Sequence, residues 1–182
     1  MKLMLNDVRL AFPALFDAKT VGGEGEPAFS ATFLFPANGE VHKAVEKAIE
    51  AVAKEKWGAK APDILKALRA SGKTCLKDGD EKANYDGFDG MFFISARNTS
   101  RPLVLDRDKS ELGKASGKPY AGCQVNGSVE IWAQDNGYGK RINASLRGVQ
   151  FVKDGDAFGG GAPASADEFD SVSEGADADS LV

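Results

Sequence analysis

Residues 123 to 153 constrain the fold more tightly than any other stretch, because two alternating apolar runs flank Asn136-Gly137-Tyr138-Gly139, a four-residue hairpin loop. That loop sets Asp135 opposite Lys140. Ala133 then faces Ile142, Ile131 faces Ala144 and Val129 faces Leu146, an unbroken apolar surface that a one-residue slip would mix with polar residues. The opposite face holds Trp132 beside Asn143, Glu130 beside Ser145 and Ser128 beside Arg147. An indole on a polar face is unexpected unless a packed element or a ligand covers it.

The rest of the chain reads as further strands with a helical insertion. Leu3 to Phe12 is expected as a strand whose apolar phase changes at a bulge near Asn6-Asp7, ending at Pro13. A Gly-rich loop (residues 21–27) leads to a half-buried strand from Ala28 to Phe35, with Phe29, Ala31, Phe33 and Phe35 on one face. Phe33 and Phe35, with Phe93 further on, are expected in the core. Asn38 is placed to cap a helix from Gly39 to about Trp57, and Pro62 opens a shorter helix that Gly72 closes. A polar loop from Lys73 to Asp89 precedes strand signals at Gly90 to Arg97 and Leu103 to Leu105.

Charge divides the chain unevenly. Its 182 residues, 27% of them charged, suit one domain, and no apolar run nears the ~20 residues of a membrane span. From Asp154 to Val182 there are eight acids and no Lys or Arg, whereas residues 1–153 set 23 bases against 19 acids. The expected organisation is a body over residues 1–153, with the helical insertion at about 39–72, and a disordered acidic tail over 154–182. A mildly basic body beside such a tail points to a polyanion-binding surface and a segment that competes for it, through Asp167, Glu168, Phe169, Asp170, Glu174, Asp177 and Asp179. The N-terminus lacks the apolar stretch of a secretory signal, so a cytoplasmic protein with Cys75 and Cys123 as free thiols is expected.

Several fragments imitate catalytic motifs and lack a part. Gly72-Lys73-Thr74 ends a helix instead of opening one and has Ala67 where a phosphate loop needs Gly. The acidic loop Asp78 to Gly87 places Lys82 and Ala83 where an EF-hand needs an oxygen ligand and Gly. His42 is the single histidine, read as solvated on its helix, and neither cysteine has a CxxC partner, so no metal or cofactor is expected. Asp63, Asp80 and Lys82 follow the acid, acid, lysine order of magnesium-dependent nucleases, an alternative weakened by Asp63 standing at a helix start.

What remains is aromatic residues interleaved with cations. Proteins that hold single strands without reading sequence use cations for phosphates and flat rings for bases on a curved sheet. The candidates are Arg97, Arg101, Lys118, Tyr120, Trp132, Tyr138, Lys140, Arg141 and Arg147.

Five segments carry a family resemblance: Asn6 to Phe16, Phe29 to Pro36, Lys77 to Lys82, Tyr120 to Cys123, and Leu146 to Phe151 at the hairpin's end. In this order the chain resembles the single-stranded-DNA-binding proteins of tailed bacteriophages. The resemblance implies a mainly β OB-fold, a five-stranded Greek-key barrel, extended or covered by the helical insertion. It also implies a non-catalytic role in phage DNA replication or recombination within the bacterial host, with single-stranded DNA as ligand and replication or recombination proteins as partners of the acidic tail. Ser180-Leu181-Val182 departs from tails that finish in an aromatic residue, which favours electrostatic competition over docking through the last residue. A protein-interaction OB module is the other alternative, because such barrels also bind proteins.

Overall fold

The computed structural model describes residues 1–21, 23–158 and 169–172. Its frame is a closed ring of five strands: β1 (Lys2–Val21), β2 (Glu24–Pro36), β4 (Met91–Asn98), β7 (Gly139–Lys153) and β6 (Gln124–Asn136), which returns to β1. Four of the five neighbouring pairs are antiparallel ladders. The fifth is a parallel contact at one point, Arg97 of β4 opposite Ser145 of β7. This is the OB-fold barrel expected above. Short strands β3 (Leu76–Asp78) and β5 (Leu103–Leu105) extend the sheet alongside β4 and β7.

Helices α1 (Glu40–Trp57) and α2 (Ala61–Ala70) are inserted between β2 and β4. Val45, Ile49 and Val52 recur at helical spacing and pack with Leu65 and Leu68 of α2 against Leu5, Leu10, Phe33, Ile131 and Ile142 from the barrel. Pro62 stands in the first turn of α2, and Gly72, at φ +68°, ends it.

The β6–β7 register is the predicted one from Asp135/Lys140 to Val129/Leu146, and pairing continues to Asn136/Gly139, leaving Gly137-Tyr138 as the loop. Past Val129 it shifts: Ser128 pairs with Gly148, and Arg147 occupies a bulge.

Other expectations are corrected. The bulge between Leu5 and Val8 is present, with Asp7 at φ 52°. Pro13 does not end β1, because it falls in a second bulge between Ala11 and Ala14, where a missing N–H costs no ladder bond. β2 already begins at Glu24. It is buried on both faces from Ala31 to Phe35, since Leu34 packs outside the barrel with Ala11, Phe88 and Phe93. The expected core rings Phe33 and Phe35 are inside the barrel, whereas Phe93 belongs to this outer cluster. Gly39, not Asn38, is the N-cap of α1, and the Asn38 N–H donates to His42 Nδ1 at 2.8 Å. His42 is therefore buried, stacked on Phe92 with ring centroids 4.2 Å apart.

The packed body also runs past Lys153. The Tyr120 hydroxyl donates to Asp154 at 2.6 Å, Arg9 donates to the Asp156 carbonyl at 2.7 Å, and its guanidinium lies 4.1 Å from the centre of the Phe158 ring. Residues 154–158 are thus anchored to the barrel through hydrogen bonds and a ring, although their charge pattern matches the acidic segment. Residues 159–168 and 173–182 of the expected tail, including Asp167, Glu168, Glu174, Asp177 and Asp179, lie outside the described residues.

Candidate nucleic-acid interface

Because β4 and β7 touch at one bridge, they diverge from it and leave an open cleft of about 570 Å³. Lys77 of β3 and Ser95 and Arg97 of β4 line one wall; Trp132 of β6 and Arg141, Asn143 and Ser145 of β7 line the other. Strand alternation explains the set: Ile94, Ala96, Ile142 and Ala144 point into the barrel, so their neighbours point out.

Trp132 sits on this outer face as its register requires. Its indole Nε1–H donates to the Ser145 hydroxyl at 3.0 Å, which fixes the ring while leaving the side chain 41% exposed. Beside it, Asn143 donates to the Gln134 side-chain carbonyl at 2.9 Å. No residue of α1 or α2 lines the cleft. Cover by a helix, the structural explanation for an outward indole, does not apply.

The cleft is positively charged. Lys77, Arg97 and Arg141 line it, and no Asp or Glu does among the described residues. Arg97 reaches the Glu26 carbonyl at 3.5 Å, a long contact that leaves most of its donors available. Burial pushes the Cys75 thiol up to about 12, so this floor residue adds no charge at neutral pH. Cys123, buried beneath β1, is likewise held at about 11 by burial, and both cysteines are free thiols.

The structure brings together three of the nine sequence candidates, Arg97, Trp132 and Arg141, and distributes the others. Tyr138 stands at the hairpin tip, 94% exposed. Lys140 faces Asp135 at 3.7 Å near the same tip. Arg101 donates to the Phe16 carbonyl at 3.2 Å at the base of the β1–β2 arm. Lys118 lies over the Phe151 ring and 3.9 Å from Asp106. Tyr120 holds the 154–155 segment, and its hydroxyl pKa is raised by burial and by the bond to Asp154. Arg147 borders a separate hollow with Met4 and Leu103. Of the tail residues, Phe169 and Asp170 are described and exposed.

Sequence reasoning missed Lys77, Ser95, Asn143 and Ser145. The last three alternate with buried residues and were legible by phase; Lys77 fell in a stretch read as loop. The nuclease candidates do not form a cluster: Asp63 opens α2, the Asp80 carboxylate accepts from the Gly90 N–H at 2.7 Å, and Lys82 lies over the Phe93 ring. Among the described residues no group of three metal-ligating side chains converges, and no helix is long and apolar enough to cross a membrane.

Comparison with known proteins agrees with this fold. The family model described as the Enterobacter phage Enc34 ssDNA-binding protein matches residues 1–181. Protein p50 of Acyrthosiphon pisum secondary endosymbiont phage 1 is 48% identical over 178 residues, 95% of each chain. The single-stranded DNA-binding protein from bacteriophage Enc34, solved in complex with ssDNA, superposes with a TM-score of 0.73 at 33% identity, covering 87% of this chain and 89% of that one. Bacteriophage T7 gp2.5, a single-stranded DNA-binding protein, shares the fold at 12% identity, with a TM-score of 0.57 over 93% of this chain and 97% of its own.

Proposed function

Because the chain belongs to the family of the Enterobacter phage Enc34 ssDNA-binding protein, we propose that it binds single-stranded DNA along the β4–β7 cleft without reading its sequence. The observation that carries this reading is the cleft itself, which combines three cations, a tethered, outward-facing indole and, among the described residues, no carboxylate. Lys77, Arg97 and Arg141 meet phosphates, and Trp132 stacks on a base. Arg101 and Lys140, with Tyr138 at the hairpin tip, extend the contact surface; Lys118 and Tyr120 are tied into other parts of the body, and Arg147 borders a separate hollow. The protein is a binding protein, not an enzyme, and it protects single strands during phage DNA replication or recombination in the cytoplasm of the host.

The acidic segment beyond Phe158 competes with DNA for the same cations and offers a contact for replication or recombination proteins. Support for the competition is the charge division between the two parts of the chain. Incubation with labelled single- and double-stranded oligonucleotides, with and without magnesium, tests the reading: intact oligonucleotide, retarded preferentially when single-stranded and independently of magnesium, is the expected result. Magnesium-dependent cleavage would establish the nuclease alternative, and absence of retardation the protein-interaction alternative.

A further inference from the structure

A second aromatic site lies on the same outer face of the barrel. Phe12, in the bulge beside Pro13, has φ +46°, a left-handed conformation that is a genuine outlier for a bulky side chain. Its side chain is nonetheless 51% exposed. It meets Tyr85, 46% exposed, edge to face with ring centroids 5.3 Å apart. The two rings border a hollow of about 380 Å³ whose apolar wall includes Phe88 and Phe158. Both rings also pack on Phe88, with centroids 5.8 and 6.0 Å from it, yet each keeps about half of its surface exposed. Backbone strain that presents an aromatic ring to solvent is characteristic of binding sites.

The hollow lies across the sheet from the cleft, two strands away. Ala11, which lines the hollow, pairs with Thr32, and Thr32 pairs with Ser95, which lines the cleft. The Thr32 and Ser95 hydroxyls lie 3.4 Å apart, with Ser95 exposed and Thr32 and Ala11 buried, so two strand spacings, about 10 Å, separate the two sites. The lining is mainly apolar and aromatic and holds no Lys or Arg among the described residues, which suits a base.

We infer that Phe12 and Tyr85 form a second base-stacking subsite for single-stranded DNA, reached from the cleft across the Thr32–Ser95 pair. The inference rests on the single-strand-binding reading, and the test separates the two. Binding of oligothymidylates of about four and about sixteen nucleotides is compared for the full chain and for Phe12→Leu and Tyr85→Leu, which keep apolar bulk and remove the ring. Both variants should bind the long oligonucleotide about fivefold or more weakly and the short one, which fills the cleft alone, as the unaltered chain does. Equal binding of both lengths by all three proteins would overturn the subsite and leave the cleft reading intact. Failure of the unaltered chain to bind either length would overturn both. Photo-crosslinking of the unaltered chain to a long oligonucleotide carrying 5-iododeoxyuridine needs no variant to fold: adducts at Phe12 or Tyr85 are expected, and adducts confined to the cleft would overturn the subsite.

Discussion

The Trp132 indole N–H is hydrogen-bonded at 3.0 Å to the hydroxyl of Ser145, the residue at which β7 meets β4 and closes the barrel. The ring is thus held by the strand junction that also bounds the cleft. Trp132→Ala should weaken single-stranded DNA binding by roughly tenfold or more, because stacking a base on an aromatic ring contributes ~1 to 3 kcal/mol. Its thermal midpoint should move little, since the side chain lies outside the core; a buried tryptophan would cost ~3 to 5 kcal/mol instead. Ser145→Ala keeps the ring and removes its tether, so its loss of affinity should be smaller. Titration alongside thermal melting checks both variants.

The three cleft cations predict a salt dependence. Each phosphate contact on a single strand adds ~0.7 to the slope of log K against log salt. Removing the charge at Lys77, Arg97 or Arg141 in turn should therefore flatten the slope by about that amount, while the same change at Lys118, paired with Asp106, should leave it nearly unaltered. Affinities measured across a salt series provide the comparison.

The anchored segment decides where a truncation must fall. A chain ending at Lys153 loses the Asp154 acceptor of Tyr120, the Asp156 carbonyl bound by Arg9 and the Phe158 ring, and should be destabilised by about 2 kcal/mol or more. Ending after Phe158 keeps these contacts and still removes Asp167, Glu168, Asp170, Glu174, Asp177 and Asp179. That shorter chain should bind DNA more tightly than the full chain, most clearly at low salt where screening is weakest. Equal affinities would remove the competing role of the acidic segment.

Gly127 reports on packing at the barrel core. A Cβ at this position would lie 2.7 Å from the fully buried Phe33 ring. Gly127→Ala should therefore destabilise the fold by ~1 to 3 kcal/mol, read by chemical denaturation.

The hairpin was legible because its apolar and polar faces both encode one register, and a slip is punished on each. The closure was not, since a single contact between Arg97 and Ser145, 48 residues apart in sequence, leaves no local periodicity. Trp132, Arg97 and Arg141 were legible as candidates from residue type; their convergence was a property of that closure. Lys77 was hidden in a strand of three residues, too short for alternation to register. Local rules failed elsewhere for specific reasons: Pro13 sits in a bulge, Leu34 finds a second apolar layer under Phe88, and Asp154 and Asp156 anchor their segment through an acceptor oxygen and a carbonyl although its composition matches the tail.

The most direct test of the cleft is the emission of its own indole. Trp57→Phe leaves Trp132 as the sole tryptophan, because the chain contains two. Titrating this variant with single-stranded DNA should quench Trp132 emission with the same midpoint as binding followed independently by anisotropy of labelled DNA. Saturable binding with no change in Trp132 emission would place the strand elsewhere on the molecule and contradict the account.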